Sequence, residues 1–165
     1  MKRGKSILFL TQGALIAALY VVVTELCSLV GLSSGIVQFR LSEALCVLSA
    51  FTPAAIPALG IGCLISNIFA GGIPLDILFG AVASLLGALG GYLLRKWWYL
   101  VPLPTVVANV LIIPPILKFA YNFEGALAYF ALTVGIGEVV CAYIGGLLLY
   151  KTLLPHRHTL FPSLD

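Results

Sequence analysis

Charged residues are scarce in this sequence. Only 9% of its 165 residues are Asp, Glu, Lys or Arg, whereas 61% are hydrophobic. Soluble domains carry about 25% charged residues, so the composition excludes a soluble domain and indicates an integral membrane protein. The net charge of +3 gives no reason to expect a nucleic-acid partner, because the positive-inside rule accounts for the basic residues.

The sequence also lacks the motifs of nucleotide-hydrolysing enzymes and of metal sites. It has no glycine-rich phosphate-binding loop, so we expect no ATP hydrolysis by this chain. Its four cysteines are scattered through apolar runs without a Cys-x-x-Cys pair, which is typical of small buried hydrophobic residues. We therefore expect no enzyme activity, metal or cofactor. No internal repeat is evident, which argues against a secondary transporter built from paired halves.

The apolar residues form six segments separated by turn signals. A spanning helix needs about 20 residues, so six spans use most of the chain. The segments run from about Ile7 to Val30, Leu41 to Phe51, Ala54 to Phe69, Leu75 to Leu94, Leu100 to Phe119 and Ala126 to Tyr150. The first is too long for a signal peptide and is interpreted as a retained helix. The sequence predicts an all-α membrane protein, with six transmembrane helices in one compact bundle and a single domain over residues 1–165.

The basic residues predict the orientation of this bundle. Most of them fall at one end if the chain crosses the membrane six times, namely Lys2, Arg3, Lys5, Arg95, Lys96, Lys151 and Arg157, and only Arg40 and Lys118 fall at the other. Trp97, Trp98 and Tyr99 suit the adjacent membrane interface. We expect cytoplasmic N- and C-termini and a multi-pass protein of the cell membrane.

Prolines predict an irregular fifth helix. Pro102, Pro104, Pro114 and Pro115 all lie in or next to it. Proline frees backbone carbonyls, and lipid cannot bind them, so neighbouring helices or a cavity must do so.

Polar residues inside the spans are few, and they predict a binding pocket. Arg40 and Glu43 are three residues apart at the start of the second helix, so they share one face. Glu138 lies near the middle of the sixth helix, where a charged group costs about 2.5 to 3.5 kcal/mol. Such a residue must face a cavity or a partner. Asn109 lies at comparable depth in the fifth helix, and Asn67 and Asp76 flank the turn Gly71-Gly72-Ile73-Pro74.

Together these residues describe a pocket that is open to the outside. Arg40, Glu43 and Asp76 fall at its outer side, with Asn109 and Glu138 deeper, and the excess negative charge suits a small polar ligand with positive charge or several N–H donors. Simpler alternatives remain for each residue: an interfacial ion pair of Arg40 with Glu43, an interhelical hydrogen bond at Asn109, helix capping by Asp76, and capping or helix bridging by Asn67. Glu25 and Glu124 are expected to be solvated at the outer surface.

Small residues line one side of the first helix. Gly13, Ala14, Ala17 and Ala18 form two overlapping pairs with four-residue spacing, which lets another backbone approach closely. The approaching helix belongs either to this bundle or to a partner protein.

Several sequence segments resemble those of a known family. They are Gln38-Phe39-Arg40-Leu41-Ser42-Glu43-Ala44-Leu45, Phe51-Thr52-Pro53-Ala54-Ala55-Ile56-Pro57, Asp76-Ile77-Leu78-Phe79-Gly80 and Gly137-Glu138. The size, the alanine-rich first helix and the outward pocket resemble the substrate-binding S components of energy-coupling factor (ECF) transporters. The strings are more closely similar to the QueT family of queuosine precursor transporters.

This resemblance implies a ligand and partners. The ligand would be a 7-deazaguanine, with 7-aminomethyl-7-deazaguanine favoured by the acidic pocket; Glu138 would take the guanine-like edge and Glu43 or Asp76 the amine. The partners would be a transmembrane coupling subunit on the Gly13 to Ala18 face and two cytoplasmic ATPases that use the ATP.

Other functions stay open from the sequence. An S component can carry another vitamin or purine-like cargo in the same pocket. A self-sufficient channel or proton-coupled carrier would use Glu138 as its protonatable group. A membrane scaffold without a small ligand would use the buried polar residues as internal hydrogen bonds.

Overall fold

A computed structural model of the chain describes residues 2–31, 39–122 and 124–162. Residues 32–38, which include Gln38, lie outside these ranges. The described residues form helices and turns without a β-strand. The main helices are α1 (Lys2–Leu29), α2 (Leu41–Ala50), α3 (Ala55–Phe69), α4 (Pro74–Leu93), α5 (Leu103–Pro115, continued by Ile116–Ala120) and α6 (Leu127–Glu138, continued by Val139–Gly145 and Gly146–Leu153).

The lengths of these helices divide them into two groups. Four helical stretches are long and apolar enough to cross a membrane: Gly4–Leu29, Pro74–Leu93, Trp98–Ala120 and Leu127–Leu160. The other two, α2 and α3, are apolar but have only 10 and 15 residues, fewer than the about 20 that a straight span requires. The all-helical bundle is confirmed, whereas the six-span count and the cytoplasmic termini stay predictions.

The short helix α2 lies at the centre of the bundle. Most of its side chains are buried, and it packs against α1, α4 and α6. It is a 3₁₀-helix, which rises about 2.0 Å per residue, so its ten residues extend about 20 Å. This extension carries the chain from Arg40 at one end of the bundle to Phe51 at the other.

Glycine allows α3 to lie close to α1. A Cβ atom at Gly62 would stand 2.8 Å from Cβ of Tyr20 and 3.1 Å from the carbonyl oxygen of Ala17. Ile16 and Tyr20 are buried in the core that this contact creates, together with Leu59 of α3. The absence of a side chain at Gly62 therefore brings Tyr20 into the interior.

The small residues of α1 divide between two environments. Gly13 and Ala17 are half-buried, and a Cβ at Gly13 would lie 3.6 Å from the carbonyl oxygen of Ala54. Ala14 and Ala18 are exposed on the other side of the helix. Packing within the bundle explains the small size of Gly13 and Ala17. Only Ala14 and Ala18 are free to contact another protein or lipid.

Aromatic rings form a layer at the end of the bundle that carries the chain termini. Phe51 stacks on Tyr150 and on Phe161 with ring centroids 4.8 and 5.4 Å apart, and Trp98 stacks on Tyr150 at 6.2 Å. Nζ of Lys151 lies 5.1 Å from the centre of the Trp98 ring. These four rings are called the aromatic layer. Aromatic rings beside a basic residue are typical of a membrane interface.

Two helices widen into π-helical turns. In α5 the wide turn Ile116–Ala120 follows Pro114 and Pro115, which confirms the predicted irregularity. In α6 the wide turn Val139–Gly145 begins directly after Glu138. Such turns occur frequently at functional sites, and the one in α6 is not foreseen from the sequence.

Candidate functional site

A cavity of about 200 Å³ lies at the end of the bundle opposite the aromatic layer. Its polar lining comes from five different parts of the chain. The side chains include Thr24, Arg40, Asn67, Asp76 and Tyr121, with Ile113 as an apolar neighbour. This space is called the outer cavity. Arg40, Asn67 and Asp76 are thus brought together as the sequence predicts, whereas Thr24 and Tyr121 are additional.

A second, smaller cavity of about 20 Å³ contains the deeper predicted residues. It is lined by Arg40, Asn109, Ile113, Val134 and Glu138, and it is called the inner cavity. Its volume is that of about one water molecule. Arg40 and Ile113 line both cavities, so the two cavities are neighbours. The structure therefore divides the predicted pocket into two chambers.

Glu43 lies behind the cavities and is not among the residues that line them. It is 3% exposed, and its Oε1 accepts hydrogen bonds from the hydroxyl of Tyr20 and, at 3.2 Å, from Oγ of Ser84. In the neighbouring turn, Oγ1 of Thr24 donates to Oγ of Ser42 at 2.8 Å. These bonds join α1 and α4 to α2, so the geometry gives Glu43 a supporting place in the site.

Asn109 and Glu138 present unpartnered polar atoms at the inner cavity. Nδ2 of Asn109 and Oε2 of Glu138 are buried, and no hydrogen-bond partner for either is found among the described residues. The Asn109 amide lies close enough to the carboxyl groups of Glu43 and Glu138 to interact with both, but neither contact has the geometry of a standard hydrogen bond. A buried polar group without a partner costs about 1 to 3 kcal/mol. A ligand that offers an acceptor to the amide and a donor to the carboxylate would remove this cost.

Asp76 is held at both its backbone and its side chain. The Tyr121 hydroxyl donates to Oδ2 of Asp76 at 3.0 Å, and Nδ2 of Asn67 donates to its carbonyl oxygen at 3.2 Å. Asn67 thus bridges α3 and α4, as one of its alternatives predicts. Asp76 is the third residue of α4, whose N-cap is Ile73 without a side-chain cap bond, so the capping alternative for Asp76 is wrong.

Tyr121 acts as a neutral donor in this arrangement. Burial raises the pKa of its hydroxyl above the usual value, and the nearby Asp76 carboxylate raises that pKa as well, partly offset by the backbone N–H of Ile73. That N–H donates to the Tyr121 oxygen at 3.3 Å. The hydroxyl therefore keeps its proton at neutral pH and directs it to Asp76.

Glycine again makes room for the site. A Cβ atom at Gly80 would stand 2.6 Å from Nδ2 of Asn67. Only a residue without a side chain at this position lets the Asn67 amide lie against α4 and reach Asp76. The string Asp76-Ile77-Leu78-Phe79-Gly80 thus has a structural reason for its last residue.

Comparison with known proteins gives the family. The family model described as QueT transporter matches residues 10–155. The chain belongs to the QueT transporter family. A curated relative is the queuosine precursor transporter QueT of Lactococcus lactis subsp. cremoris (strain MG1363), 39% identical over 85 residues, which are 52% of this chain and 49% of the relative. The match thus spans about half the length of that relative. No solved structure matches.

QueT membership confirms the resemblance that the sequence strings carry. The family consists of transporters rather than enzymes, and the apolar helices of this member are those of a multi-pass membrane protein. The residues matched by the family model include the lining of both cavities and the aromatic residues Phe51, Trp98 and Tyr150.

Two further acidic residues of this QueT member, Glu25 and Glu124, differ in their environment. Glu124 is exposed, as expected. Glu25 is half-buried, and its Oε1 is buried without a hydrogen-bond partner among the described residues. The expectation of a solvated Glu25 is therefore wrong, because α1 turns this residue partly toward the bundle.

Proposed function

We propose that this QueT family member is the S component of an ECF-type importer, a single membrane domain that captures a queuosine precursor outside the cell membrane. The observation that carries the proposal is the pair of buried, unpartnered atoms, Nδ2 of Asn109 and Oε2 of Glu138, beside a polar cavity. A donor and an acceptor that lack partners match the edge of a purine-like base. The curated relative is a queuosine precursor transporter, which supports this cargo.

The outer cavity suits a ligand of nucleobase size. Its volume of about 200 Å³ is below the about 300 to 1,000 Å³ of pockets for drug-sized ligands. Asp76 lines this cavity and Glu43 does not, so we assign the amine of 7-aminomethyl-7-deazaguanine to Asp76. The guanidinium of Arg40 carries several donors and takes the ring carbonyl.

Glu138 takes the guanine-like edge once the two cavities join. A carboxylate accepts two adjacent N–H donors in a paired geometry. Arg40 and Ile113 line both cavities, and Glu138 lines only the inner one, so we expect a shift of the Arg40 side chain to join the cavities on binding. Asn109 then donates to an acceptor on the ring, and the energetic cost of both unpartnered atoms is removed.

Energy for uptake would come from partner proteins. The partners in this proposal are a transmembrane coupling subunit and two cytoplasmic ATPases that consume the ATP. Ala14 and Ala18, which are exposed on α1, form the contact with the coupling subunit. Gly13 and Ala17 support that surface from inside the bundle.

Calorimetric titration tests the cargo. Purified chain in detergent is titrated with 7-aminomethyl-7-deazaguanine, its 7-cyano analogue, guanine and riboflavin. We expect saturable binding of a deazaguanine and much weaker binding of guanine and riboflavin. A folded protein that binds neither deazaguanine would overturn the assignment.

A charge-neutralising substitution tests the deeper site. We expect Glu138→Gln to weaken deazaguanine binding roughly tenfold or more, because a charge-assisted hydrogen bond becomes a neutral one with one acceptor fewer. Glu124→Gln, on the exposed loop, is the matched control and should bind as wild type. Equal affinity of both variants would remove Glu138 from the binding site.

A proton-coupled carrier is the second candidate. It is favoured by the burial of Glu138 close to Glu43, an arrangement in which one carboxyl group can hold a proton. Liposomes that contain this chain alone distinguish the two functions. Uptake driven by a proton gradient supports the carrier, and binding without uptake supports the S component.

A further inference from the structure

Tyr121 joins two elements at the outer cavity through one hydroxyl group. It follows the last turn of α5, and the hydroxyl both donates to Oδ2 of Asp76 at 3.0 Å and accepts from the backbone N–H of Ile73 at 3.3 Å. A hydroxyl that accepts one hydrogen bond while donating another is polarised and donates more strongly. The Asp76 carboxylate is therefore bound by a directed donor.

This bond determines how Asp76 faces the cavity. Asp76 is only 8% exposed, and the Asn67 amide holds its backbone carbonyl at 3.2 Å. With its backbone fixed by Asn67 and Oδ2 fixed by Tyr121, the carboxylate plane has one preferred orientation. An ionised carboxylate accepts about four hydrogen bonds, so it retains acceptor capacity for a ligand donor.

We propose that Tyr121 is a specificity-determining residue that makes the outer cavity prefer a cationic arm on the bound base; this rests on the proposed function. An ammonium group brings N–H donors and positive charge to the oriented Asp76 carboxylate. The nitrogen of a nitrile arm only accepts hydrogen bonds, and it would face the Asp76 carboxylate oxygens, which also only accept. Tyr121 does not contact the arm. It positions the Asp76 carboxylate, which binds the arm.

The ratio of two affinities tests this role. The ligands are 7-aminomethyl-7-deazaguanine and its 7-cyano analogue, titrated calorimetrically into wild type, Tyr121→Phe, Asp76→Asn and the double variant. Phenylalanine keeps the aromatic ring and removes only the hydroxyl. We expect Tyr121→Phe to lower the affinity for the amine roughly tenfold and to leave the nitrile affinity nearly unchanged. The double variant should match Asp76→Asn, because Tyr121 acts through Asp76.

Other outcomes separate this proposal from the proposed function. An unchanged ratio of the two affinities in Tyr121→Phe overturns the proposal, while the proposed function stands. If both affinities fall equally, Tyr121 has only a general structural role. Wild-type protein that binds neither ligand overturns both. Tyr129→Phe, at an exposed ring on α6, is the matched control, and thermal unfolding of each variant verifies that it is folded.

Discussion

Tyr20 shows how one hydroxyl in an apolar helix supports a distant acidic residue. It is 1% exposed, and its hydroxyl donates to Oε1 of Glu43. Ser84 supplies a second donor to the same oxygen. A buried carboxyl group is stable only when its oxygens are hydrogen-bonded, so these two hydroxyls allow Glu43 to occupy the central helix α2.

Removal of that hydroxyl should therefore destabilise the bundle. We expect Tyr20→Phe to lower the free energy of unfolding by about 1.5 to 3 kcal/mol, the range for hydrogen bonds to charged groups. Thermal unfolding in detergent, followed by circular dichroism, measures the change. Tyr143→Phe, at a half-buried ring of α6, is the matched control. Equal unfolding temperatures for the two variants would contradict the supporting role of Tyr20.

The sequence predicts the acidic and amide residues of the site better than its hydroxyl residues. Asp76, Asn109 and Glu138 stand out because such groups are costly inside a membrane. Tyr20 and Tyr121 do not stand out, since tyrosine is common both in spans and at interfaces. Their partners lie 23 and 45 residues away along the chain, so only the folded arrangement identifies them.

At the scale of elements, Gly80 and Asn67 connect α4 to α3. Alanine in place of glycine in a helix is usually favourable by about 1 kcal/mol. At Gly80 the added Cβ would meet the Asn67 amide 2.6 Å away. The substitution is therefore expected to push this amide from the Asp76 carbonyl and to disturb the first turn of α4.

We predict opposite effects of alanine at two glycines. Gly80→Ala should lack the usual gain in stability. It should also weaken deazaguanine binding several-fold, since the displaced hydrogen bond contributes roughly 1 kcal/mol. Gly135→Ala should keep the gain and bind normally, because the nearest atom, Cγ2 of Val110, is 3.5 Å from the added Cβ. Calorimetry and thermal unfolding measure both properties. Identical behaviour of the two variants would contradict the packing argument.

Helix positions are predicted well, and helix types are not. Apolar runs and turn signals place all six helices within a few residues of their observed bounds. The 3₁₀ geometry of α2 and the wide turn after Glu138 depend on packing between helices, which leaves no local pattern. The wide turn in α5 is the exception, because Pro114 and Pro115 cause it directly.

At the scale of the whole molecule, the cavities and the exposed α1 surface occupy separate faces. Ala14 and Ala18 are exposed, while Tyr20 and Thr24 of the same helix point into the bundle or line the outer cavity. In the proposed function, ligand binding and partner contact would therefore use different sides of α1. The sequence predicts the small residues but cannot choose between bundle and partner; in the structure Gly13 and Ala17 pack within the bundle, and Ala14 and Ala18 are exposed.

Bulky residues on the exposed side should separate binding from transport. We expect Ala14→Trp combined with Ala18→Trp to bind deazaguanine normally in detergent and to abolish uptake in cells, because the coupling subunit can no longer approach. Leu148→Trp, on an exposed site of α6, is the control and should retain uptake. Normal uptake by the double variant would place the coupling contact elsewhere.

The position of the aromatic layer predicts how much labelled ligand liposomes with this chain retain. Stacked rings of Phe51, Tyr150 and Phe161 lie at the end opposite the outer cavity, so we expect a bound molecule to leave by the opening through which it entered unless that layer separates. Liposomes with this chain alone should retain labelled deazaguanine in proportion to the amount of protein. Enlarging the vesicle interior should add nothing to the retained amount.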